Sequence, residues 1–377
     1  MTIRTLLIVV AAFGSVACGK SSEGSGKSGG SAGSGNGASG GNGASGGSSS
    51  GGSSASGAAS GSGGASPGGA SGSAGASSGG ESTGGSSPTT GDCAMFPSED
   101  DWNKDISGEP ADADWTSRLQ AMVGDINLHP DYGRDGDTIY GIGINVVPEA
   151  EAMVDVTFDW WPEESDPGPY PFPDPGSVKI EGNDAVNCDG DCHVIVVQQG
   201  ACMLYEGYAC HYDAGWHCGN GAAWDLTQVS YGQRPKGWTS ADAAGLPIAP
   251  GLLRYDEVTA RAIHHAIRFT TECTRPNYVA PATHAAVPDS CVASDPNSPP
   301  MGLRVRLKSS FDIKSFSAGA QAVLLAMQTY GMILADNGSN FFFQGEASPD
   351  WNLDEIEELK GVPVSEFEVI TPPPLEP

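Results

Sequence analysis

Basic residues are scarce. The chain of 377 residues has 18 Lys+Arg against 46 Asp+Glu, a formal charge of −28. Arg4, Lys20 and Lys27 balance Glu23, Glu81 and Asp92, so everything from Cys93 onward carries that charge. Such a surface repels nucleic acid and anionic lipid, which excludes a nucleic-acid partner. It suits an extracellular protein, a neutral or cationic partner, or calcium. Long apolar runs are missing too. The longest, Leu6–Phe13, is too short to span a bilayer comfortably. There is no Gly-rich phosphate loop, HExxH, EF-hand loop or GxSxG, and no internal repeat, so no ready-made catalytic signature is on offer. Between Gly19 and Thr90 charged and apolar residues almost vanish, leaving Gly, Ser and Ala. Such a stretch has little to bury and a high ordering cost, and is expected to be a tether with a mean reach of about 45–50 Å.

Cysteines are present and odd in number, nine in all. Cys188, Cys192, Cys202, Cys210 and Cys218 crowd together with His193, His211 and His217 between them. Zinc and disulfides compete for such a cluster. The CxxxC spacing fits no usual zinc pattern, and an exported chain meets oxidising conditions, so disulfides are expected. Cys18 is set aside for the N-terminal signal, leaving eight to pair. Cys273 with Cys291 is the favoured single pair, closing a loop that holds His284.

At the N-terminus, Arg4, the apolar Leu6–Phe13 and then Ser15-Val16-Ala17-Cys18 resemble a bacterial lipoprotein signal. Ser15 departs from the Leu usual there. The resemblance implies cleavage after residue 17 and lipid on Cys18, hence a bilayer partner. With Gly19 rather than Asp next, it implies placement at the outer membrane or cell surface. The expected organisation is a signal at 1–17, a lipidated tether at 18–92 and a disulfide-stabilised extracytoplasmic domain at 93–377.

Within that domain, Phe96 and Trp102 are expected core anchors. Helices are expected at 114–126, capped by Asp114, at 317–330 with Val323, Leu324 and Met327 buried, and at 352–359. Strands are expected at 138–147 and 152–160, pairing with each other, at 193–197 and 202–208 as a hairpin, and at 224–226, 263–270, 301–313 and 367–370. HPDYG (129–133) and DNGS (336–339) read as turns. Short strands separated by Gly/Pro loops, without alternating long helices, disfavour a doubly wound sheet. The expected fold is mainly β: a sandwich-like single domain with two or three peripheral helices and long ordered loops.

The segments FPSEDDWNKDISG, HPDYG, EESDPGPYPFP, RPKGWTSADAAGLPIAPGLLRYDEV, HHAIRFT, PPMGLRVRLKSSFDI and YGMILADNGSNFFF span nearly all of 93–370. They resemble a family of exported actinobacterial, acidobacterial and myxobacterial proteins. The resemblance implies export. It brings no activity and no catalytic residues.

Candidate chemistry concentrates in 225–268. Glycoside hydrolysis needs two carboxyl groups flanking the bond, and Asp225, Asp242, Asp256 and Glu257 supply them, with Glu257 or Asp256 as acid and Asp242 as partner. Arg254 and Arg268 are candidates for orienting a uronate. For elimination, His265 or His284 would act as base and Tyr255 as a proton relay. Trp238, Trp160 and Trp161 offer aromatic faces for sugar C–H groups, with Glu163, Glu164 and Asp166 beside the latter two. Arg304, Arg306 and Lys308 form a basic strand face that either meets the domain's own carboxylates or binds an anionic sugar. No cofactor is required. Calcium has two candidate sites, one at Glu163, Glu164 and Asp166 and one at Asp336, Asn337 and Ser339. Each of these residues also has a structural reading, as turn cap, packed histidine or solvated rim. The function expected is therefore a surface-tethered, carbohydrate-active hydrolase or lyase. The alternative is a non-catalytic glycan-binding or adhesive lipoprotein.

Overall fold

The structure is a computed structural model that describes residues 89–188 and 190–377. Cys18 and nearly all of the tether lie outside the described residues. The described chain forms a mixed α/β domain with several sheets and a few helices. Among the described residues no helix is long and apolar enough to cross a membrane.

Two sheets dominate. The smaller has the strand order 220–225, 203–208, 194–198, 144–147. Its centre is the expected hairpin, Val194–Gln198 against Met203–Tyr208. The run Val194-Ile195-Val196-Val197 has no polar alternation because both of its faces are covered. Ile195 and Val197 enter the main core, whereas Val194 and Val196 enter a second, smaller core with Tyr170, Phe172, Ile180 and Trp216. Each such side chain contributes about 1.5–3 kcal/mol by leaving water.

The larger sheet runs 367–369, 304–307, 332–337, 267–271, 342–344, 129–131. Strands 332–337 and 267–271 are parallel, as are 342–344 and 129–131. Phe269 opposite Phe343 makes the intervening pair antiparallel. Phe269, Phe343, Val305 and Leu334 meet Ile195, Leu204 and Trp224 of the other sheet in one core. Phe96 and Trp102 are fully buried in it.

Four helices flank the sheets: Ala113–Val123, Tyr255–Ala260, Ala318–Thr329 and Leu353–Leu359. The first is capped by Asp112, whose carboxylate accepts from Asp114 N and Trp115 N, rather than by Asp114. The third buries Val323, Leu324 and Met327 as the sequence pattern requires.

All eight cysteines of the domain are paired: Cys93–Cys202, Cys188–Cys192, Cys210–Cys218 and Cys273–Cys291. The cysteines for which zinc and disulfides competed are disulfide-bonded, and the favoured pair is present.

Several local expectations change. Strand 144–147 pairs in parallel with 194–198, and 156–158 in parallel with 216–218, so the two do not pair with each other. His129–Asp131 is a strand, not a turn, and Asp336–Asn337 end a strand instead of forming a loop. Asp256 and Glu257 lie in a short helix. The basic face of 304–308 is consumed internally. Arg304 donates to the carbonyls of Tyr330, Asp101 and Lys104, Arg306 pairs with Glu368 and Lys308 with Glu366.

Candidate functional site

The centre of the large sheet places unlike polar residues in one row. Phe269 opposite Phe343 sets Arg268 opposite Gln344, and Gln344 is in register with Asp131. The Arg268 guanidinium donates through Nη1 to Gln344 Oε1 at 2.9 Å. Through Nη2 it donates to Asp242 Oδ1 at 2.9 Å, and Asp336 Oδ2 lies 3.5 Å from the same nitrogen. Arg268 and Asp242 are 2% and 1% exposed, whereas the Asp336 side chain is 26% exposed.

The smaller sheet supplies the other wall. His193 sits just before strand 194–198 and is buried. Its Nδ1 is 2.6 Å from Glu181 Oε2 and its Nε2 3.1 Å from the Ala241 carbonyl. A ring nitrogen facing a carbonyl must donate, and the Glu181 carboxylate accepts from the other N–H, so both nitrogens carry hydrogen and the ring is an imidazolium. Burial alone would lower the pKa, but Glu181 outweighs it and lifts His193 to about 9. Glu181 is held below its ordinary value against the cost of its own burial.

Two fixed cations, Arg268 and His193, therefore face five carboxyl groups: Asp131, Glu181, Asp191, Asp242 and Asp336. The excess negative charge favours the protonated form of some of these carboxyls. Burial, followed by the neighbouring Asp242, pushes Asp336 up to about 7. Burial, with Glu181 adding to it, pushes Asp131 to about 6, although Gln344 and Arg268 oppose the rise. Asp191 is raised by burial and by Glu181, against the pull of His193. Burial also raises Asp242, opposed by Arg268. Of the two carboxylates that share Arg268, Asp242 has the shorter contact, so the higher proton affinity is assigned to Asp336.

An aromatic path leads outward from this centre. The Tyr208 ring is 5.5 Å from His193, and Trp160 and Trp161 lie 5.7 and 6.4 Å from Tyr208. The two tryptophans are 56% and 42% exposed. Gly219 makes room for them, since a Cβ there would stand 2.6 Å from Trp160 Cε3. Asp166, Glu164 and Arg234 brace the segment from beneath. Arg234 pairs with Asp166 at 2.5 Å and also donates to the Glu164 carbonyl, while Glu164 Oε2 accepts from Thr239 N at 2.9 Å. These contacts engage two of the carboxylates offered for calcium, and Asp336 of the other set faces Arg268.

The remaining residues singled out from sequence fall elsewhere. Glu257, Arg254 and His265 form a separate buried network. Arg254 Nη2 pairs with Glu257, whose Oε2 is 3.1 Å from His265 Nε2, and His265 Nδ1 is 2.8 Å from the Ala266 carbonyl. Against the cost of burial, His265 and Arg254 hold Glu257 below its ordinary value. That environment favours the ionised form of Glu257. Asp256 is exposed at the start of its helix and accepts from Glu257 N. Tyr255 packs edge-on against Trp351. His284 meets the Ala243 carbonyl at 2.8 Å. Trp238 is half-buried beside Arg234. Asp225 caps its own turn through Thr227. Of the 225–268 set, the structure brings only Asp242 and Arg268 into the acidic centre, and as a mutually satisfied ion pair. Sequence reasoning missed Asp131, Glu181, Asp191, His193, Asp336 and Gln344 as partners in one site. Two had shown signals of other kinds, His193 as a zinc ligand and Asp336 as a calcium ligand.

No protein-family model, curated protein or solved structure matches the chain.

Proposed function

We propose that the protein is a carbohydrate-active protein of the cell envelope, cleaving glycosidic bonds at the centre where Asp336, Asp131 and Asp191 face Arg268 and His193. The observation that carries this reading is continuity: two exposed tryptophans lead through Tyr208 to carboxyl groups whose protonation is poised near neutrality. Aromatic faces take sugar C–H surfaces, and glycoside cleavage needs one carboxyl that holds a proton and one that has lost it. Asp336 is assigned as the acid that protonates the leaving oxygen, and Asp131 or Asp191 as the ionised partner that activates water. Arg268 pairs with Asp242 and His193 with Glu181.

Hydrolysis is favoured over elimination. Arg254 and Arg268 are each committed to a buried carboxylate, so neither is free to neutralise a uronate. The excess of acid also repels anionic sugars, which points to a neutral or amino-sugar glycan. The lipid on Cys18 and the tether at 18–92 belong to the same proposal, and four disulfides support an oxidising compartment. The two large sheets sharing one core support a sandwich-like scaffold beneath the site.

A second reading, glycan binding without turnover, draws on one observation. An open groove of about 340 Å³ lies away from the centre, between Asp155, Phe172–Pro175 and Tyr212–Trp216, while the tryptophans form an exposed platform of the kind a lectin uses.

The test is reducing-end release by the full-length chain from neutral, amino-sugar and uronate polysaccharides. Turnover on a neutral or amino glycan should fall at least about 100-fold in Asp336→Asn with glycan retention unchanged. In Trp161→Ala retention should weaken. Retention with no turnover, indifferent to Asp336→Asn, would establish the second reading, and absence of both would overturn the proposal.

A further inference from the structure

We infer that Asp159, His211 and His217 form a binding site for a late first-row divalent ion such as zinc. Among the described residues they are the only group of three His, Cys, Asp or Glu whose ligand atoms all lie within 4.8 Å of one another. The site does not depend on the carbohydrate reading.

The backbone explains the convergence. His211 and His217 are direct cross-strand partners in the antiparallel pair of His211–Tyr212 with Trp216–Cys218, so their side chains leave on the same face. The strand Val156–Phe158 lies parallel to Trp216–Cys218 on its other side, with Thr157 in register with His217. Asp159 N donates to the Cys218 carbonyl at 2.8 Å, which continues that alignment. Asp159 is two residues beyond Thr157 and therefore shares its face. The Cys210–Cys218 disulfide ties the residue before His211 to the residue after His217. Both imidazoles are thus carried on a covalently clamped hairpin, and ordering them for a ligand costs little.

The local geometry fits a metal site. The two rings stack at 5.3 Å with an interplanar angle of 22°, and His217 Nδ1 is 3.2 Å from Asp159 Oδ2. Zinc bonds of 2.0–2.1 Å at tetrahedral angles need donors about 3.3 Å apart; the Asp159–His217 pair already has that spacing, and all three ligand atoms lie within 4.8 Å of one another. Two imidazoles with one carboxylate suit zinc and its neighbours better than calcium or magnesium, which prefer all-oxygen sets. The His217 and Asp159 side chains are 33% and 42% exposed, so water has access to the remaining coordination positions. Asp159 directly precedes Trp160, so the ion would also fix the base of the tryptophan pair.

The test is calorimetric titration of the untagged full-length chain with zinc chloride, with cobalt chloride absorbance reporting coordination number. One zinc per chain is expected, with tetrahedral or five-coordinate cobalt bands. His211→Ala, His217→Ala and Asp159→Asn should each weaken zinc binding at least tenfold, and His264→Ala should leave it unchanged. Zinc should raise the thermal midpoint of the parent and of His264→Ala, but not of His217→Ala, which separates lost ligation from lost folding. Absence of stoichiometric zinc binding, or binding indifferent to His211→Ala and His217→Ala, would overturn the assignment.

Discussion

Replacing Asp242 with Asn removes the buried partner of Arg268 while nearly preserving shape. Breaking a buried ion pair costs about 3–5 kcal/mol when the other charge is left uncompensated. Here a substitute exists, because Asp336 Oδ2 is already 3.5 Å from Arg268 Nη2. In the parent, burial and Asp242 raise Asp336 from 3.8 to about 7. A carboxyl raised on folding binds its proton more tightly in the native state, so its contribution falls as pH rises from about 4 to about 7 and is flat beyond. Between pH 5.5 and 8.5 a group with folded pKa about 7 costs the parent about 2 kcal/mol. In Asp242→Asn the repelling charge is gone while burial still opposes Arg268, so Asp336 ionises at lower pH and the variant escapes part of that loss. The cost of Asp242→Asn should therefore be about 3 kcal/mol at pH 5.5 and smaller at pH 8.5, by up to about 2 kcal/mol. Urea unfolding of both proteins at the two pH values measures it, and carboxyl-carbon NMR should show the Asp336 titration moving down. An equal cost at both values, or a larger one at pH 8.5, would refute the assignment of the higher proton affinity to Asp336.

Two further outcomes follow from the same charges. If Asp336 is the acid and Asp131 the ionised partner, glycan turnover should peak between about pH 6 and 7, falling below as Asp131 takes a proton and above as Asp336 loses one; a profile flat from pH 5 to 9 would refute that pairing. Glu206 is fully buried and accepts from Ile248 N and Ala249 N at 2.9 Å and from Trp224 Nε1 at 3.2 Å. Glu206→Leu leaves three enclosed N–H groups unpaired and should cost at least about 3 kcal/mol in urea unfolding, and Glu206→Gln less.

Much of the scaffold could be read from local pattern. The unbroken Val194–Val197 run, the turn at Gln199–Ala201, the buried stripe of helix 318–329 and the Cys273–Cys291 loop each announce themselves within a few residues. The pairings did not. Ile144 meets Ile195, and Val156 meets Trp216, in parallel ladders between segments far apart in the chain, and no neighbouring turn records such a choice. Tyr255–Ala260 is too short to show a helical period, which is why the pattern predicts no helix there. The acidic centre was hidden for the same reason as the pairings. Asp131, Glu181, His193, Asp242, Arg268 and Asp336 come from separate segments, and the sheet register alone brings them together. The stretch 225–268 is rich in charge, yet much of that charge is spent inside, on Glu257 with Arg254 and His265, Asp242 with Arg268, and Arg234 with Asp166.

The bond between Cys93 and Cys202 has a mechanical consequence. Tension applied upstream of Cys93 crosses that bond and arrives at the start of strand 203–208, a central member of the smaller sheet. The intervening residues, 94–201, lie off the line of pull, so the chain cannot be peeled away from its first strand inward while the bond holds. A domain drawn taut from that side would keep His193 and its surroundings intact, and reducing agent would turn a sturdy attachment into a fragile one.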